Sequence, residues 1–217
     1  MEAYNIIVIG AVGTARNVCE QIIDARERYD YPVRKVFIAI DSFKKGELIS
    51  GIKVIGSTSD ISELQKDKNN KFIFCLHKPE SLKERYELAV NLNIPVESYT
   101  SFIHPQTYIA PSVRMGYSNV ILSNTTIQSD ISFGNFNIIN SNVIIEHETT
   151  LGDGNFIAAN CCIGANVKTG NCNFLGLNSA VRENVKFGDN VFVGMNSLVL
   201  NDFSDVKIFG QPARPSE

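Results

Sequence analysis

From Ile109 onward every sixth residue of this 217-residue chain is large and apolar, and no insertion breaks the phase as far as Val199. The series is Ile109, Met115, Ile121, Ile127, Phe133, Ile139, Ile145, Leu151, Ile157, Ile163, Thr169, Leu175, Val181, Phe187, Val193 and Val199, with Thr169 the one departure. The position after it holds Gly at 116, 134, 152, 164, 170, 176, 188 and 194. Two places before it the residues are mostly small or β-branched, as at Val113, Thr125, Val143, Thr149, Cys161, Val167 and Ser179. A 44% apolar content does not hold one phase this long by accident. A period of six belongs to hexapeptide β-helix repeats, in which three hexapeptides close one coil of about 18 residues. The apolar residue fills the axis and the small one lets the chain turn without leaving a void. Gly and Asn are expected to form the corners, because both tolerate positive φ. Stacked coils pair strand on strand, and each needs its neighbours to bury its faces. A β-sandwich would alternate with period two, which this stretch does not.

The chain ahead of the repeat follows other rules. Lys plus Arg against Asp plus Glu is 14 to 14 as far as Pro105 and 6 to 9 beyond it, where sixteen Asn accumulate. Asn5–Gly10 reads as a buried parallel strand, followed by the turn Gly10-Ala-Val-Gly13 and a helix through Asp24 to about Arg28. Val36–Asp41 and Lys71–Leu76 read as further strands and Pro79–Asn91 as a helix with Leu82, Tyr86, Leu88, Ala89 and Leu92 on its apolar stripe. Strands alternating with helices predict a small α/β domain of the doubly wound, Rossmann-like kind over residues 1–104, joined to an all-β repeat domain over 105–217.

The bulk numbers narrow the function. A net charge of −3 argues against a broad nucleic-acid-binding face. No apolar run reaches the ~18 residues of a membrane span. The opening Met-Glu-Ala-Tyr-Asn carries Glu where a signal peptide carries Lys or Arg, so a cytoplasmic protein is expected. Five cysteines, an odd number without zinc-type spacing, read as buried thiols.

Chemistry has few places to sit. Of three histidines, only His147 falls inside the repeat, two places after Ile145 in an outward phase and flanked by Glu146 and Glu148. An imidazole beside a carboxylate is a general-base arrangement, since the carboxylate fixes the tautomer and stabilises the cation. A solvated corner histidine is the plainer alternative. One histidine cannot make a three-histidine zinc site, and no metal is expected. Cys161 falls in the inward phase, whereas Cys162 points the other way. His104 stands at the entry to the repeat and reads as structural; His77 ends a strand, either lining a cleft or exposed. The Gly10–Gly13 turn at a helix start is a natural phosphate site, or simply a turn, and it lacks the G-x-G-x-x-G of a dinucleotide fold. Asp41 ends the second strand, where it reads equally as a ribose ligand or a turn residue.

From Ile6 to Arg214 the chain resembles the bacterial sugar acetyltransferases that include sialic-acid O-acetyltransferases and the N-acetyltransferases of nucleotide-linked amino-dideoxy sugars, within the hexapeptide-repeat acyltransferase superfamily. The resemblance rests on the strand-Gly10-x-x-Gly13 opening, Ile103-His104-Pro105, the unbroken hexapeptides, Asn140–Glu148, Asn173–Ser179 and the closing Phe209-Gly-Gln-Pro-Ala-Arg214. It implies a left-handed β-helix, a homotrimer, and active sites between subunits. It further implies acetyl-CoA as cosubstrate, held at Gly176, Leu177, Asn178, Gly194 and Met195, with the Ala165 N–H at the oxyanion. His147 would be the base, oriented by Glu148, and the nucleotide part of the acceptor would lie at Gly10, Gly13, Thr14 and Asp41. Members carry His after the second Gly of the opening loop, where this chain has Thr14. They often carry another nine residues after the base, where it has Phe156. The expected activity is acetyl transfer to a nucleotide-linked amino sugar. O-acetylation of a sialic-acid-type sugar and an inactive binding or scaffold role stand as alternatives.

Overall fold

The structure is a computed structural model that describes residues 3–215. Its N-terminal part is a five-stranded sheet of order β3-β4-β2-β1-β5. β1 (Tyr4–Ile9), β2 (Val33–Ala39), β4 (Ile52–Gly56) and β5 (Asn70–Phe74) run parallel, and β3 (Leu48–Ile49) pairs antiparallel to β4. Ile6 to Ile9 are all 0% exposed, as expected of a central strand covered on both faces. α1 (Thr14–Tyr29) buries Ala15, Val18, Cys19, Ile22 and Ala25, the i, i+3, i+4 pattern of a one-faced helix, and ends on Asp30 in the left-handed conformation. α2 (Ile61–Leu64) and α3 (Leu82–Asn91) complete this part. The β3–β4 hairpin was not expected; its turn, Ser50-Gly51, takes positive φ at both residues, as two-residue hairpin turns require.

The repeat forms a parallel β-helix of two-residue strands in three ladders. The first sheet stacks Ile109, Ile127, Ile145, Ile163, Val181 and Val199, and the second Met115, Phe133, Leu151, Thr169 and Phe187. The third stacks Ile103, Ile121, Ile139, Ile157, Leu175 and Val193, then Ile208. Fourteen of the sixteen axial residues are buried, Thr169 included; its hydroxyl donates to the Gly170 carbonyl at 3.3 Å. The ladder begins at Phe102–Ile103, which already pairs with Val120–Ile121, so the expected division after residue 104 falls within the first coil.

The corners differ from expectation. Positive φ recurs every six residues from Ser118 to Asn196, and of these fourteen positions eight are Asn and only Gly154 is Gly. The repeat glycines stand two places earlier, without positive φ, where the next coil lies against the backbone. A Cβ at Gly134 would sit 2.0 Å from Asp153 Oδ1, and at Gly176 2.6 Å from the Met195 nitrogen. Close approach, rather than turning, selects glycine here. Asn side chains also stack across coils: Asn119, Asn137, Asn155 and Asn173 are 0–1% exposed, and the Oδ1 atoms of Asn119, Asn137 and Asn155 each accept the backbone N–H of the next in the series at 2.9 Å.

The α/β part sits on the third sheet. Outward-facing Phe102, Val120, Ile138 and Phe156 are 0–7% exposed, with Tyr31 packed on Phe102 and His77 on Phe156. The vertex joining the second and third sheets departs from Asn because it docks. Ser118 Oγ accepts the Phe74 N–H at 3.0 Å, Phe136 inserts among Phe74, Tyr86, Tyr99 and Tyr117, and Gly154 leaves room for Tyr86.

Gly134→Ala is expected to lower stability by about 1–3 kcal/mol through overpacking. Asn166→Gly keeps the corner's freedom and should cost no more than about 1 kcal/mol. Chemical denaturation of the two variants separates close approach from turning.

Candidate active site

Glu146–Thr149 carry the chain around the vertex between the first and second sheets. There the left-handed residue is Glu148, φ 61°, and the bend directs His147 and Glu148 outward, with side chains 51% and 65% exposed. His147 Nδ1 lies 3.0 Å from Glu148 Oε2. With Nδ1–H donating to the carboxylate, Nε2 is left as a free base pointing away from its partner. In the same vertex column stand Asp130, Asn166 and Asn184, residue types that accept the left-handed conformation, whereas Glu does not readily do so. Packing gives no reason for Glu at this corner; its contact with His147 does. Ala165 stands 18 residues beyond His147, on the same vertex one coil on. Its carbonyl accepts the Asn184 N–H at 2.9 Å, and its own N–H donates to no protein group among the described residues.

The residues expected at coenzyme A occupy the next vertex, between the third and first sheets. Gly176 and Gly194 stack there, beneath the Met195 nitrogen and the Phe209 ring respectively, with Leu177 and Met195 51% and 73% exposed beside them. Asn178 bridges its stacked neighbours, donating to Asn196 Oδ1 and accepting from Asn160 Nδ2, each at 2.9 Å. Between the two vertices runs the outer face of the first sheet, an exposed stripe of Tyr108, Ile144, Cys162 and Leu198. Burial and the Glu146 charge push the Cys162 thiol up, the reverse of what activates a cysteine. Cys161 is buried on the inner side, as its phase predicts.

In the α/β part, Gly10 has φ 137° and a Cβ there would meet Ala15 Cβ at 2.8 Å; Gly13, φ 58°, caps α1, and Thr14 begins it. No side chain caps α1 and no acidic residue lies in its first turn, so its leading N–H groups remain open to an anion. Asp41 is occupied: its carboxylate accepts the Thr58 hydroxyl at 2.9 Å and the Thr58 N–H at 3.1 Å, holding the turn at Thr58–Asp60. Phe156, expected near the acceptor, is covered by His77 and Phe174 on the third sheet and is only 7% exposed. His104 is structural: 2% exposed, it accepts the Gln106 N–H at Nδ1 and meets Asp24 through Nε2 at 3.3 Å.

One chain therefore brings His147, Glu148 and Ala165 together but not the acceptor-side residues. The hydrogen bonds joining the two parts, from Gln21, Phe74, His77, Tyr86 and His104, all reach the third sheet's strands or flanking vertices, while His147 stands on the vertex opposite. Lys78 and Arg85, beside the Gly10 loop, belong to no motif and had no signal in the sequence. Among the described residues no cluster of three His, Cys, Asp or Glu could hold a metal, and no helix is long and apolar enough to cross a membrane.

No protein-family model matches the chain, and no curated protein matches it by sequence. Solved structures do. A mutant of perosamine N-acetyltransferase from Caulobacter crescentus, in complex with CoA and GDP-perosamine, superposes with TM-score 0.85 at 22% identity, covering 98% of this chain and 97% of that one. The acetyltransferase domain of PglB from Neisseria gonorrhoeae, in complex with acetyl coenzyme A, gives 0.84 at 20% identity over 99% and 100%. WeeI from Acinetobacter baumannii gives 0.79 at 17% identity over 98% and 99%. The whole architecture, α/β part and β-helix together, is shared from end to end.

Glu148→Asn is expected to raise stability by about 1 kcal/mol by relieving the left-handed Glu, while removing the carboxylate from His147; thermal unfolding reads the gain. A second expectation concerns His77, whose pKa burial lowers to about 4, against smaller opposing contributions from the Phe136 and Cys75 carbonyls. Its unfolded value is near 6.5, so between those pH values the unfolded chain binds the extra proton. The stability linked to neutral His77 is complete above about pH 6.5 and is lost as pH falls toward 4, by roughly 3 kcal/mol. Denaturation midpoints of wild type and His77→Phe across that range should diverge accordingly.

Proposed function

We propose that this chain, which has the two-part fold of the solved structures just described, is an acetyl-CoA-dependent N-acetyltransferase of a nucleotide-linked amino-dideoxy sugar. The observation that carries the reading is the His147–Glu148 pair with the unused Ala165 N–H one coil away on the same vertex. In this reading Nε2 of His147 takes the proton as the acceptor nitrogen attacks the thioester carbonyl, and returns it to the departing thiolate as the C–S bond breaks. Glu148 stabilises the transient imidazolium, and the Ala165 N–H donates to the carbonyl oxygen as charge builds on it.

The donor suits the vertex of Gly176 and Gly194. A pantetheine arm is an alkyl chain punctuated by amides, and exposed Leu177 and Met195 offer apolar contact beside closely approachable backbone and the Asn178 amide. The acceptor side is proposed in the Rossmann-like part, residues 1–104, at Gly10, Gly13 and Thr14. Asp41, already bonded to Thr58, keeps lone pairs for one further donor. Because these residues face away from His147 within one chain, a complete site needs a second subunit. The exposed apolar stripe of the first sheet fits self-association as a homotrimer of left-handed β-helices.

Incubation with acetyl-CoA and a panel of nucleotide-linked amino sugars, followed by free-thiol release, tests the proposal. His147→Ala is expected to lower kcat by about 10²–10⁴. Release with sialic acids alone would transfer the reading to O-acetylation. No release with any acceptor would leave a binding protein.

A further inference from the structure

The vertex between the first and second sheets is acidic. Over positions 128–130, 146–148, 164–166, 182–184 and 200–202 it carries Asp130, Glu146, Glu148, Glu183 and Asp202 against Arg182. The vertex between the third and first sheets carries no charge over 122–124, 140–142, 158–160, 176–178 and 194–196. The fold does not ask for this contrast, because both vertices turn the chain through the same left-handed corner. A surface of one sign draws in ligands of the other. The phosphates of coenzyme A suit the neutral vertex, and a cation suits the one that carries His147.

On the coil of His147 the carboxylates have separate tasks. The chain leaves the first sheet at Ile145, passes Glu146, His147 and Glu148, and enters the second at Thr150. Glu148, on the second-sheet side, holds Nδ1 at 3.0 Å. Glu146, on the first-sheet side, is half-buried, and its carboxylate takes part in no ion pair or side-chain hydrogen bond among the described residues. Burial and then the Glu146 charge push the Cys162 thiol up, which places Glu146 near the outer face of that sheet. Stacked on Glu146 are Gln128 one coil up, Gly164 one coil down and Arg182 on the coil after that. Gly164 has no side chain, so a gap opens beneath Glu146, beside the Ala165 N–H. Arg182 lies two strand spacings away, about 10 Å along the axis.

We infer that Glu146 makes this site selective for an amine, by holding the acceptor's ammonium beside His147. The inference rests on the proposed function for the reaction and goes further in naming what separates an amine from a hydroxyl. A sugar amine, flanked by oxygen-bearing carbons, titrates like an α-amino group near about 8, so at neutral pH it arrives as a cation. The ammonium gives one proton to solvent, and the neutral nitrogen forms the C–N bond. A second proton passes to Nε2 and then to the thiolate as the C–S bond breaks. Positive charge builds on nitrogen during the attack, so the carboxylate that binds the ammonium also faces the transition state. A hydroxyl acceptor offers Glu146 no cation. A sialic acid brings a carboxylate of its own against both glutamates.

Binding and steady-state kinetics of wild type and Glu146→Gln test this. The probes are GDP- and UDP-linked amino-dideoxyhexoses and the matching sugars with a hydroxyl in place of the amine. Wild type should favour the amine about tenfold at pH 7, the usual worth of a charge-assisted hydrogen bond. Glu146→Gln should lose that preference through a higher KM for the amine and leave the hydroxyl sugars unchanged. Its deficit should close as pH rises through about 8, where the ligand itself becomes neutral. Glu146→Asp should keep part of the preference. Coenzyme A affinity should be equal in all three proteins, which also reports that they are folded. An amine preference that survives Glu146→Gln, or a deficit that stays constant with pH, would overturn the role of Glu146 and leave the acetyltransferase reading standing. Thiol release with hydroxyl acceptors alone, or with none, would overturn that reading and the inference with it.

Discussion

One left-handed residue every six positions is the constraint from which the rest of the molecule follows. It bends the chain three times per coil, brings each two-residue strand over its predecessor, and so lines up side chains 18 residues apart. Individually a left-handed L-residue is unfavourable by about 1–2 kcal/mol. The repeat softens this by using Asn, whose side chain then bonds the Asn of the adjacent coil, as in the Asn142, Asn160, Asn178, Asn196 column. The corner that strains one coil thereby ties two together. Cooperation between neighbours, each coil burying its axial residues against the next, holds such a stack.

Against that regularity the exceptions become informative. Where the left-handed residue is not Asn, another demand is visible at most of the positions. Ser118, Phe136 and Gly154 receive the α/β part, and Glu148 reaches His147. The vertices differ accordingly: both that flank the third sheet receive the N-terminal part, one of them also exposing Leu177 and Met195, and the third carries His147 and Glu148.

Much of this was legible in the residues. The axial series, the inward Cys161 and outward Cys162, the structural His104 and the helices near Thr14–Tyr29 and Leu82–Asn91 all follow from period and phase, because a six-residue repeat fixes direction as well as conformation. What period cannot encode is what meets what across coils. Gly134 looks like a corner residue until Asp153 is seen above it, and nothing around Asp41 in the sequence announces the Thr58 hydroxyl that its carboxylate holds. The β3–β4 hairpin was hidden because its strands are short and only Ser50-Gly51 signals the turn. Likewise, the opposition of His147 and the Gly10 loop depends on which sheet the α/β part covers, a matter of the buried faces of Phe102, Val120 and Ile138 and not of local pattern.

The stacking has a metric consequence for chemistry. His147 and Ala165 are successive residues of one vertical column, so their separation along the axis is the interstrand spacing of a β-sheet, about 4.8 Å. That interval is written into backbone hydrogen bonds such as Asn166 N–H to the His147 carbonyl at 2.9 Å. Side-chain repacking elsewhere cannot stretch or compress it. Groups mounted this way inherit a ruled scale, adjustable only in whole coils, and any ligand that spans two of them must fit the graduation.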